Sequence, residues 1–288
     1  MQIKGNNSIF ELSWNDTARF RRIVIEVLSE ACKVDDTDSE EFDGIGRLAE
    51  KQMHAAIKRF ICPDDSCHEV IIDGSALCLQ KKDAENESKK KKRRFVADVL
   101  IEDTIFEIQT GGFSPLREKI QWILDNTFYK IVVIHPIAET TYVNYINGKT
   151  GNIDKRQKSP VKGKFTDVAN DLYFFREFIG NPRFSLVLLM MEAEQYKKNI
   201  AKEGSRRPKY RKYELIPISL LRAYVFKSID DYKLFIPDNL PSPFCVKDYS
   251  KSSGIHGIDA YSIVKTLVHL GLLEEAGNLG KAAAYRIK

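Results

Sequence analysis

The spacing of apolar residues predicts an alternation of helices and strands along the first two thirds of the chain. Apolar positions recur at helical spacing in four segments: NDTARFRRIVIEVLSEACKV, IGRLAEKQMHAAIKRFI, SPLREKIQWILDNT and FTDVANDLYFFREFIG. Apolar runs of β type predict five strands: HEVIIDG, the two halves of FVADVLIEDTIFEIQTGG, YKIVVIHPIA and RFSLVLLMMEAEQY. Helices that interleave with strands in this order indicate an α/β (α+β) fold, with a mixed sheet flanked by helices.

Three segments between these elements are basic and poor in apolar residues. Residues 80–94 end in six consecutive Lys or Arg residues, and KRQKSPVKGK and EGSRRPKYRKYELIP add two more basic stretches. All three are predicted to be loops, and TYVNYINGKTG is a predicted hairpin with its turn at Asn147–Gly148. Clustered Lys and Arg suit contact with a phosphate backbone, and a solvated charge run is the alternative.

The last segment of the chain has a different pattern, so we predict a first domain of residues 1–232 and a second of residues 233–288. Val246–Ser252 and Ile258–Leu270 are predicted helices, and LLEE and AAAYRI are predicted strands around a turn at Asn278–Gly280. The inward side of the second helix is predicted to be apolar: Ala260, Ile263, Val264, Leu267 and Leu270. A helix, a tight turn, a helix and a hairpin together resemble a winged helix-turn-helix domain.

Such a domain places its second helix in the major groove of DNA. The resemblance therefore implies DNA contacts from the outward side chains of that helix and from the hairpin, or wing. The outward candidates on and before the helix are His256, Asp259, Ser262, Lys265 and Thr266, and the wing offers Lys281 and Arg286. Residues 245–288 carry six Lys and Arg against four Asp and Glu, so contact with a protein is the alternative.

Polar residues interrupt the two apolar strands of FVADVLIEDTIFEIQTGG. If a tight turn forms at Glu102–Asp103, paired residue numbers sum to 205 and Asp98 lies directly opposite Glu107. Directly opposed side chains have Cβ atoms about 4.5–5.5 Å apart, so two carboxylates repel unless a cation or a shared proton lies between them. Carboxylate oxygens and a backbone carbonyl are ligands that Mg²⁺ takes. The alternative is a sheet face that is simply open to water.

The element order over residues 45–140 resembles the PD-(D/E)xK nuclease superfamily and is similar to the core of Holliday-junction resolvases. The motif stands here as Asp98…Glu107-Ile108-Gln109, and Glu50 matches the acidic residue of the leading helix. The resemblance implies a restriction-endonuclease-like fold and a metal-dependent DNA endonuclease. It also implies that Mg²⁺ or Mn²⁺ is held by Asp98, Glu107, the Ile108 carbonyl and Glu50.

Gln109 departs from the superfamily, which usually has a lysine at this position to help activate the attacking water. A glutamine can orient a water molecule but carries no charge. A catalytically inactive DNA-binding or regulatory protein is therefore the alternative function, and a module that holds a protein partner is a third. The pattern E-K-x-x-H-x-A-[LI]-K followed by A-D-[IV]…E-I-Q-T also resembles a group of bacterial proteins.

Further DNA contacts are predicted beside the motif. His54 lies one helical turn after Glu50, and it is either a phosphate contact or a helix-edge histidine bonded to a backbone carbonyl. The basic run before the Asp98 strand contributes four candidates: Lys91, Lys92, Arg93 and Arg94. Four residues that could suggest zinc fit no common zinc spacing and are interpreted as structural or incidental: Cys62, Cys67, His68 and Cys78.

The composition narrows the class of protein. The formal net charge is +5, so the overall charge does not by itself indicate nucleic-acid binding. The five cysteines have no disulfide-type spacing, the N-terminus lacks an apolar signal region, and no stretch approaches the roughly 20 apolar residues of a membrane span. We therefore expect a reduced, cytoplasmic protein with no membrane partner, and the two resemblances imply DNA as its partner. Analogy with dimeric enzymes of the superfamily allows a homodimer.

Overall fold

The computed structural model describes residues 9–11, 14–34, 45–73, 94–201 and 205–288. The helices within these ranges are α1 (Trp14–Val34), α2 (Ile45–Ile61), α3 (Arg117–Asn126), α4 (Ala169–Phe175), α5 (Val246–Ser253) and α6 (Gly257–His269). The strands are β1 (Ile9–Glu11), β2 (His68–Asp73), β3 (Arg94–Ile101), β4 (Thr104–Ile108), β5 (Lys130–Ile146), β6 (Ile153–Lys158), β7 (Phe184–Asn199), β8 (Tyr210–Phe226), β9 (Phe244–Cys245), β10 (Leu273–Leu279) and β11 (Ala282–Ile287).

The larger sheet is mixed and, within the described ranges, follows the order β1-β8-β7-β5-β4-β3-β2, while β6 pairs with the far half of β5. β5 runs parallel to both β4 and β7, and the other neighbours are antiparallel. Parallel neighbours need crossover connections, and α3 and α4 lie in the two connections that β5 requires. The predicted α/β (α+β) class, with a mixed sheet flanked by helices, is confirmed.

Helices bury an apolar cluster on each face of this sheet. On one face, α1 and α2 contribute Phe20, Met53 and Ile57, which belong to the same cluster as Ile108 of β4 and Ile134 of β5. The cluster on the other face joins α3 and α4 to the sheet through Ile120, Ile123, Val133, Leu172, Phe175 and Leu188. Because successive side chains of a strand point to opposite faces, β5 contributes to both clusters, and its near-continuous apolar run is explained.

Two of the predicted basic loops are partly strand, which corrects the sequence prediction. β6 takes up the first residues of KRQKSPVKGK, and β8 begins at Tyr210 within EGSRRPKYRKYELIP. Pairing of β6 with β5 and of β8 with β7 satisfies the backbone of these segments, so they form strands despite their low apolar content. The predicted hairpin forms, but its connection spans residues 147–152 instead of turning at Asn147–Gly148, and the Asn147 N–H donates to the Asn152 carbonyl at 2.8 Å across the base of this longer loop.

The C-terminal elements follow the predicted order of helix, turn, helix and hairpin. α5, α6, β10 and β11 lie where the pattern placed them, and β9 adds a third strand to give the order β10-β11-β9. Four of the predicted inward residues of this helix are fully buried, namely Ala260, Ile263, Val264 and Leu267, and the fifth, Leu270, is half-buried just after α6. The 3₁₀ helix Ile229–Phe235 spans the predicted boundary at 232/233, and its aromatic residues belong to an apolar cluster shared by both parts of the chain.

The prediction that Ser262 and Thr266 face outward is wrong. Both side chains are buried, because α6 packs against α4 of the first domain. The Ser262 hydroxyl donates to Asn170 Oδ1 at 2.8 Å, and the Thr266 hydroxyl donates to the Ser262 carbonyl at 2.8 Å. This side of α6 is therefore an internal contact and is closed to a DNA groove.

Candidate active site

The carboxylate hairpin has the register that the sequence predicts. β3 and β4 pair through Val99↔Phe106, Leu100↔Ile105 and Ile101↔Thr104, whose numbers sum to 205. Glu102 turns the chain with a φ of 52°, in the left-handed region that a tight hairpin turn requires. The next residues beyond Val99 and Phe106 are Asp98 and Glu107, so the turn brings the two carboxylates to the end of the ladder.

Asp98 is oriented by the backbone of the neighbouring strand. The Ile108 N–H donates to Asp98 Oδ2 at 2.7 Å. The other oxygen, Oδ1, lies 4.0 Å from Lys58 Nζ of α2, which also donates to Glu69 Oε1 at 2.9 Å. The backbone N–H and the nearby lysine therefore fix the orientation of the Asp98 carboxyl.

Glu107 is more deeply buried than Asp98 and is paired with a lysine. Its exposed fraction is 3 %. Lys119 of α3 donates to Glu107 Oε2 at 2.5 Å and to the Val96 carbonyl at 2.5 Å. Glu107 Oε1 is buried and has no hydrogen-bond partner among the described residues. A buried acceptor without a donor is costly, so the site holds more acceptor capacity than Lys119 satisfies.

The pKa of Glu107 reports the balance of these contacts. The pKa rises from 4.5 to about 7 as the net result of three main causes: burial raises it most, Lys119 lowers it, and the nearby charge of Asp98 raises it. Burial outweighs the lysine because a carboxylate loses most of its hydration in a low-dielectric interior. The carboxyl therefore exchanges a proton near neutral pH, and an additional cation would favour its ionised form.

Sequence reasoning missed both lysines of this site. Lys58 lies four residues after His54, which itself lies four residues after Glu50, so the three positions form one row on α2. That spacing is a signal that could have indicated Lys58. Lys119 comes from a helix twelve residues beyond Glu107, and no local pattern indicated that its side chain turns back to the hairpin.

The roles predicted for Glu50 and His54 remain predictions. Glu50 lies on α2, but its side chain is outside the described residues. His54 is half-buried and has an interaction partner. Within the described ranges, no group of three His, Cys, Asp or Glu side chains is placed to hold a metal ion. A cation held by the described carboxylates would therefore rest on the Asp98 and Glu107 pair.

The loop after Glu107 is tightly bonded. The side-chain amide nitrogen of Gln109, Nε2, donates to the backbone carbonyl of Gly112 at 2.6 Å, so this side chain is bonded within its own loop. The backbone carbonyl of Gln109 accepts a hydrogen bond from His135 Nδ1 at 2.6 Å. Burial lowers the pKa of His135, and because a carbonyl can only accept, the neutral ring carries its hydrogen on Nδ1. The predicted role of Gln109 in orienting water remains a prediction.

α4 connects this loop to the C-terminal helices. Asp171 Oδ1 accepts a hydrogen bond from the Phe113 N–H at 3.1 Å. The residue before it, Asn170, accepts from Ser262 of α6. Consecutive residues of α4 therefore hold the loop after the carboxylate hairpin and the helix of the C-terminal module.

The other predicted DNA contacts are spread over the molecule. Lys91, Lys92 and Arg93 lie outside the described residues, and Arg94 is exposed at the start of β3. His256 is exposed before α6, and Lys281 is exposed in the turn of the wing. Lys265 pairs with Glu275 at 3.0 Å, and Arg286 pairs with Glu274, so both cations already have acidic neighbours. These residues remain predicted contacts.

Comparison with known families gives one match, to a domain of unknown function, DUF8091, over residues 75–227. The matched segment is more than half of the chain. The chain belongs to the DUF8091 family. The DUF8091 segment contains Asp98, Glu107 and Lys119, whereas α2 and the C-terminal module lie outside it. No curated protein and no solved structure matches the chain. No described helix is long and apolar enough to cross a membrane.

Proposed function

We propose that this DUF8091 protein is a divalent-metal-dependent DNA endonuclease with Asp98 and Glu107 at its active site. The observation that supports this most directly is the buried Glu107 Oε1, which has no hydrogen-bond partner in the described part of the chain and lies beside an oriented Asp98 carboxyl. Two converging carboxylates with unsatisfied acceptor capacity match the hard oxygen ligands that Mg²⁺ and Mn²⁺ prefer. The element order from α2 to β5 supports the same reading, because it is the order that the resemblance to PD-(D/E)xK nucleases implies.

The donor set fits a divalent cation in chemical type. Asp98 and Glu107 supply carboxylate oxygens, and the Ile108 carbonyl and Glu50 are the further predicted ligands. The chemistry that a bound divalent cation supplies at such a pair is activation of water and neutralisation of phosphate charge. The pKa of Glu107 is raised although Lys119 is bonded to it. The lysine alone therefore does not supply enough positive charge to keep this carboxyl ionised, and a divalent cation would add to it.

The side chains of the chain itself have separate roles in this proposal. The Ile108 N–H keeps Asp98 oriented, and burial keeps Glu107 away from bulk water. Lys119 supplies the positive charge that Gln109 lacks, and it contacts a phosphate oxygen or orients the attacking water. Lys58 neutralises charge on the Asp98 side of the site. A fixed cation close to developing negative charge stabilises a transition state without reorganising.

A catalytically inactive DNA-binding or regulatory protein is the second candidate, and a specific contact favours it. Lys119 is bonded to Glu107 at 2.5 Å, where a metal ion would have to compete with it. Gln109 is bonded to Gly112 in the same structure. In this second function, the two lysines neutralise the carboxylates permanently, and the domain serves as a scaffold.

A cleavage assay distinguishes the two functions. The full chain is incubated with linear, branched and single-stranded DNA and with RNA, in Mg²⁺, Mn²⁺ or EDTA. We expect metal-dependent cleavage of DNA that falls at least about 10²-fold in Asp98→Asn. Asp103→Asn is the matched control, since Asp103 lies on the same hairpin but pairs with Lys130 at the surface. Absence of cleavage, or equal cleavage by Asp98→Asn and parent, refutes the catalytic proposal.

Retained DNA binding without cleavage would support the scaffold function. A mobility shift that falls with salt separates either DNA function from a protein-interaction module. The predicted cytoplasmic location and homodimer are part of the same proposal, and sedimentation of the full chain with and without DNA tests the dimer.

A further inference from the structure

The positive charge of the protein is concentrated on one extension of the large sheet. We call this extension the basic arm and define it as residues 142–164, 194–201 and 205–214, which contain the far ends of β5, β6, β7 and β8. These residues include thirteen Lys and Arg against three Asp and Glu, a net of +10, whereas the whole chain has a formal net charge of +5. The rest of the chain is therefore acidic overall, and the arm is a distinct electrostatic surface.

Strand pairing places like charges directly opposite one another on the arm. Lys197 pairs with Lys212, and Lys198 pairs with Arg211. The row of paired residues that contains Lys197 and Lys212 continues across the sheet to Tyr145 of β5 and then to Lys155 of β6. Like charges that face each other across strands are destabilising. The Lys197 and Lys212 pair therefore costs folding stability, and that cost is reduced when a polyanion binds the surface.

The two hairpins of the arm form one surface. The turn of the β5–β6 hairpin contacts the end of β7 so closely that a Cβ at Gly148 would lie 2.2 Å from the Asn199 carbonyl oxygen. Gly148 therefore allows a close backbone approach that no other residue would fit without displacing the strand. The charged row across β6, β5, β7 and β8 is held as a continuous sheet.

Cations of the arm lie over the rings of Tyr142 and Tyr145. Arg156 lies 4.5 Å and Lys158 lies 5.9 Å from the centre of the Tyr142 ring. Tyr145 packs edge-on against Tyr210 at 4.7 Å between ring centres. Rings that serve as stacking platforms for single strands need an open face, so this arrangement favours contact with phosphates over stacking of unpaired bases. A sheet of this kind fits the backbone of a duplex.

The arm extends from the same end of the sheet as the carboxylate pair. Glu107 pairs with Val133 on β5, and the strand then continues in the same direction to Tyr142, nine residues further. At 3.3 Å per residue, the strands of the arm begin at most about 30 Å from the level of Glu107, because β5 has a bulge between Ala138 and Thr140. That distance is close to one turn of duplex DNA, about 34 Å. Lys162 and Lys164 belong to the arm but lie nearer to the carboxylate pair than its strands do, because the Gly163 N–H between them donates to the Ala138 carbonyl of β5.

We propose that the basic arm binds the phosphate backbone of double-stranded nucleic acid about one helical turn from the Asp98 and Glu107 pair. The proposal deepens the proposed function, because it assigns that site a duplex substrate. It does not require catalysis, since the arm would hold a duplex whether or not the carboxylates cleave it.

The test measures binding of the full chain to a labelled duplex of about 30 base pairs, three helical turns, by fluorescence anisotropy in EDTA at several salt concentrations. The arm variant is Lys155→Gln/Lys197→Gln/Lys212→Gln. The matched control is Lys130→Gln/Lys227→Gln/Lys233→Gln, which removes the same charge from the opposite end of the sheet and the segment that follows it. Thermal unfolding of each variant checks its folding, and the arm variant is expected to melt at or above the parent's temperature at low salt.

We expect the arm variant to bind at least about tenfold more weakly than the parent at moderate salt, with a salt slope smaller by about 2 to 3. The control variant is expected to stay within about twofold of the parent. Equal affinity and equal slope for the arm variant and the parent overturn the proposal. Unchanged duplex binding with loss of binding to anionic vesicles also overturns it, in favour of a membrane surface. Arm-dependent binding without any cleavage refutes the proposed catalysis and leaves the arm's role intact.

Discussion

The titration of Glu107 gives the sharpest test of the candidate site. Burial raises the pKa of this carboxyl from 4.5 to about 7. The folded protein therefore keeps the Glu107 proton at pH values where the unfolded chain has released it. The folded state binds more protons within this window, so the free energy of unfolding falls as the pH rises from about 4.5 to about 7. The stabilisation is fully present below that window and lost above it.

The change in the free energy of unfolding follows from the difference between the pKa values of Glu107 in the unfolded and folded states. A difference of one pKa unit corresponds to about 1.4 kcal/mol, so Glu107 alone should remove about 3 kcal/mol between pH 4.5 and pH 8. The substitution Glu107→Gln keeps the shape of the side chain and removes the titration. We expect the parent to lose about 3 kcal/mol more than the variant over this range.

Denaturant unfolding in EDTA across this pH range measures the difference, and a carboxyl ¹³C NMR titration gives the midpoint for Glu107 directly. Asp103→Asn is the control, because Lys130 and Thr104 lower the pKa of Asp103 and it does not titrate in this window. Adding Mg²⁺ should stabilise the parent at pH 8 but not Glu107→Gln. Parallel pH profiles for parent and variant, or a Glu107 midpoint near 4.5, would refute the reasoning.

Two further substitutions test single contacts. Lys119→Met leaves the buried Glu107 carboxylate without its cation and should destabilise the protein by roughly 3–5 kcal/mol at pH 8. The loss should be smaller at pH 5, where Glu107 is protonated. Denaturant unfolding at both pH values measures the two losses, and equal losses would contradict the prediction. Ser262→Ala removes the donor to Asn170 between α6 and α4 and should cost about 1–3 kcal/mol. Thermal unfolding measures that loss against Ser250→Ala, and a difference of less than a few tenths of a kcal/mol would show that the contact is unimportant.

The local sequence pattern was sufficient to predict most of the helices and strands and the register of the carboxylate hairpin. The period-2 alternation of FVADVLIEDTIFEIQTGG and a two-residue turn determined the register, and the structure has the same pairing. The inward face of α6 was also predictable, because its apolar residues recur at helical spacing. The basic segments were misread as loops because their strands are held by pairing with β5 and β7 and not by apolar content.

The amino-acid sequence by itself therefore determined the order of helices and strands and brought Asp98 and Glu107 to the end of one ladder. Only the tertiary structure decided that Lys119 pairs with Glu107, that α6 buries Ser262 against α4, and that two basic hairpins join into one arm. The physical reason is the range of the interactions. Periodicity and turn geometry act between neighbours in sequence, whereas the pairing of a buried charge and the choice of a helix's packing partner depend on segments that meet only in the folded chain.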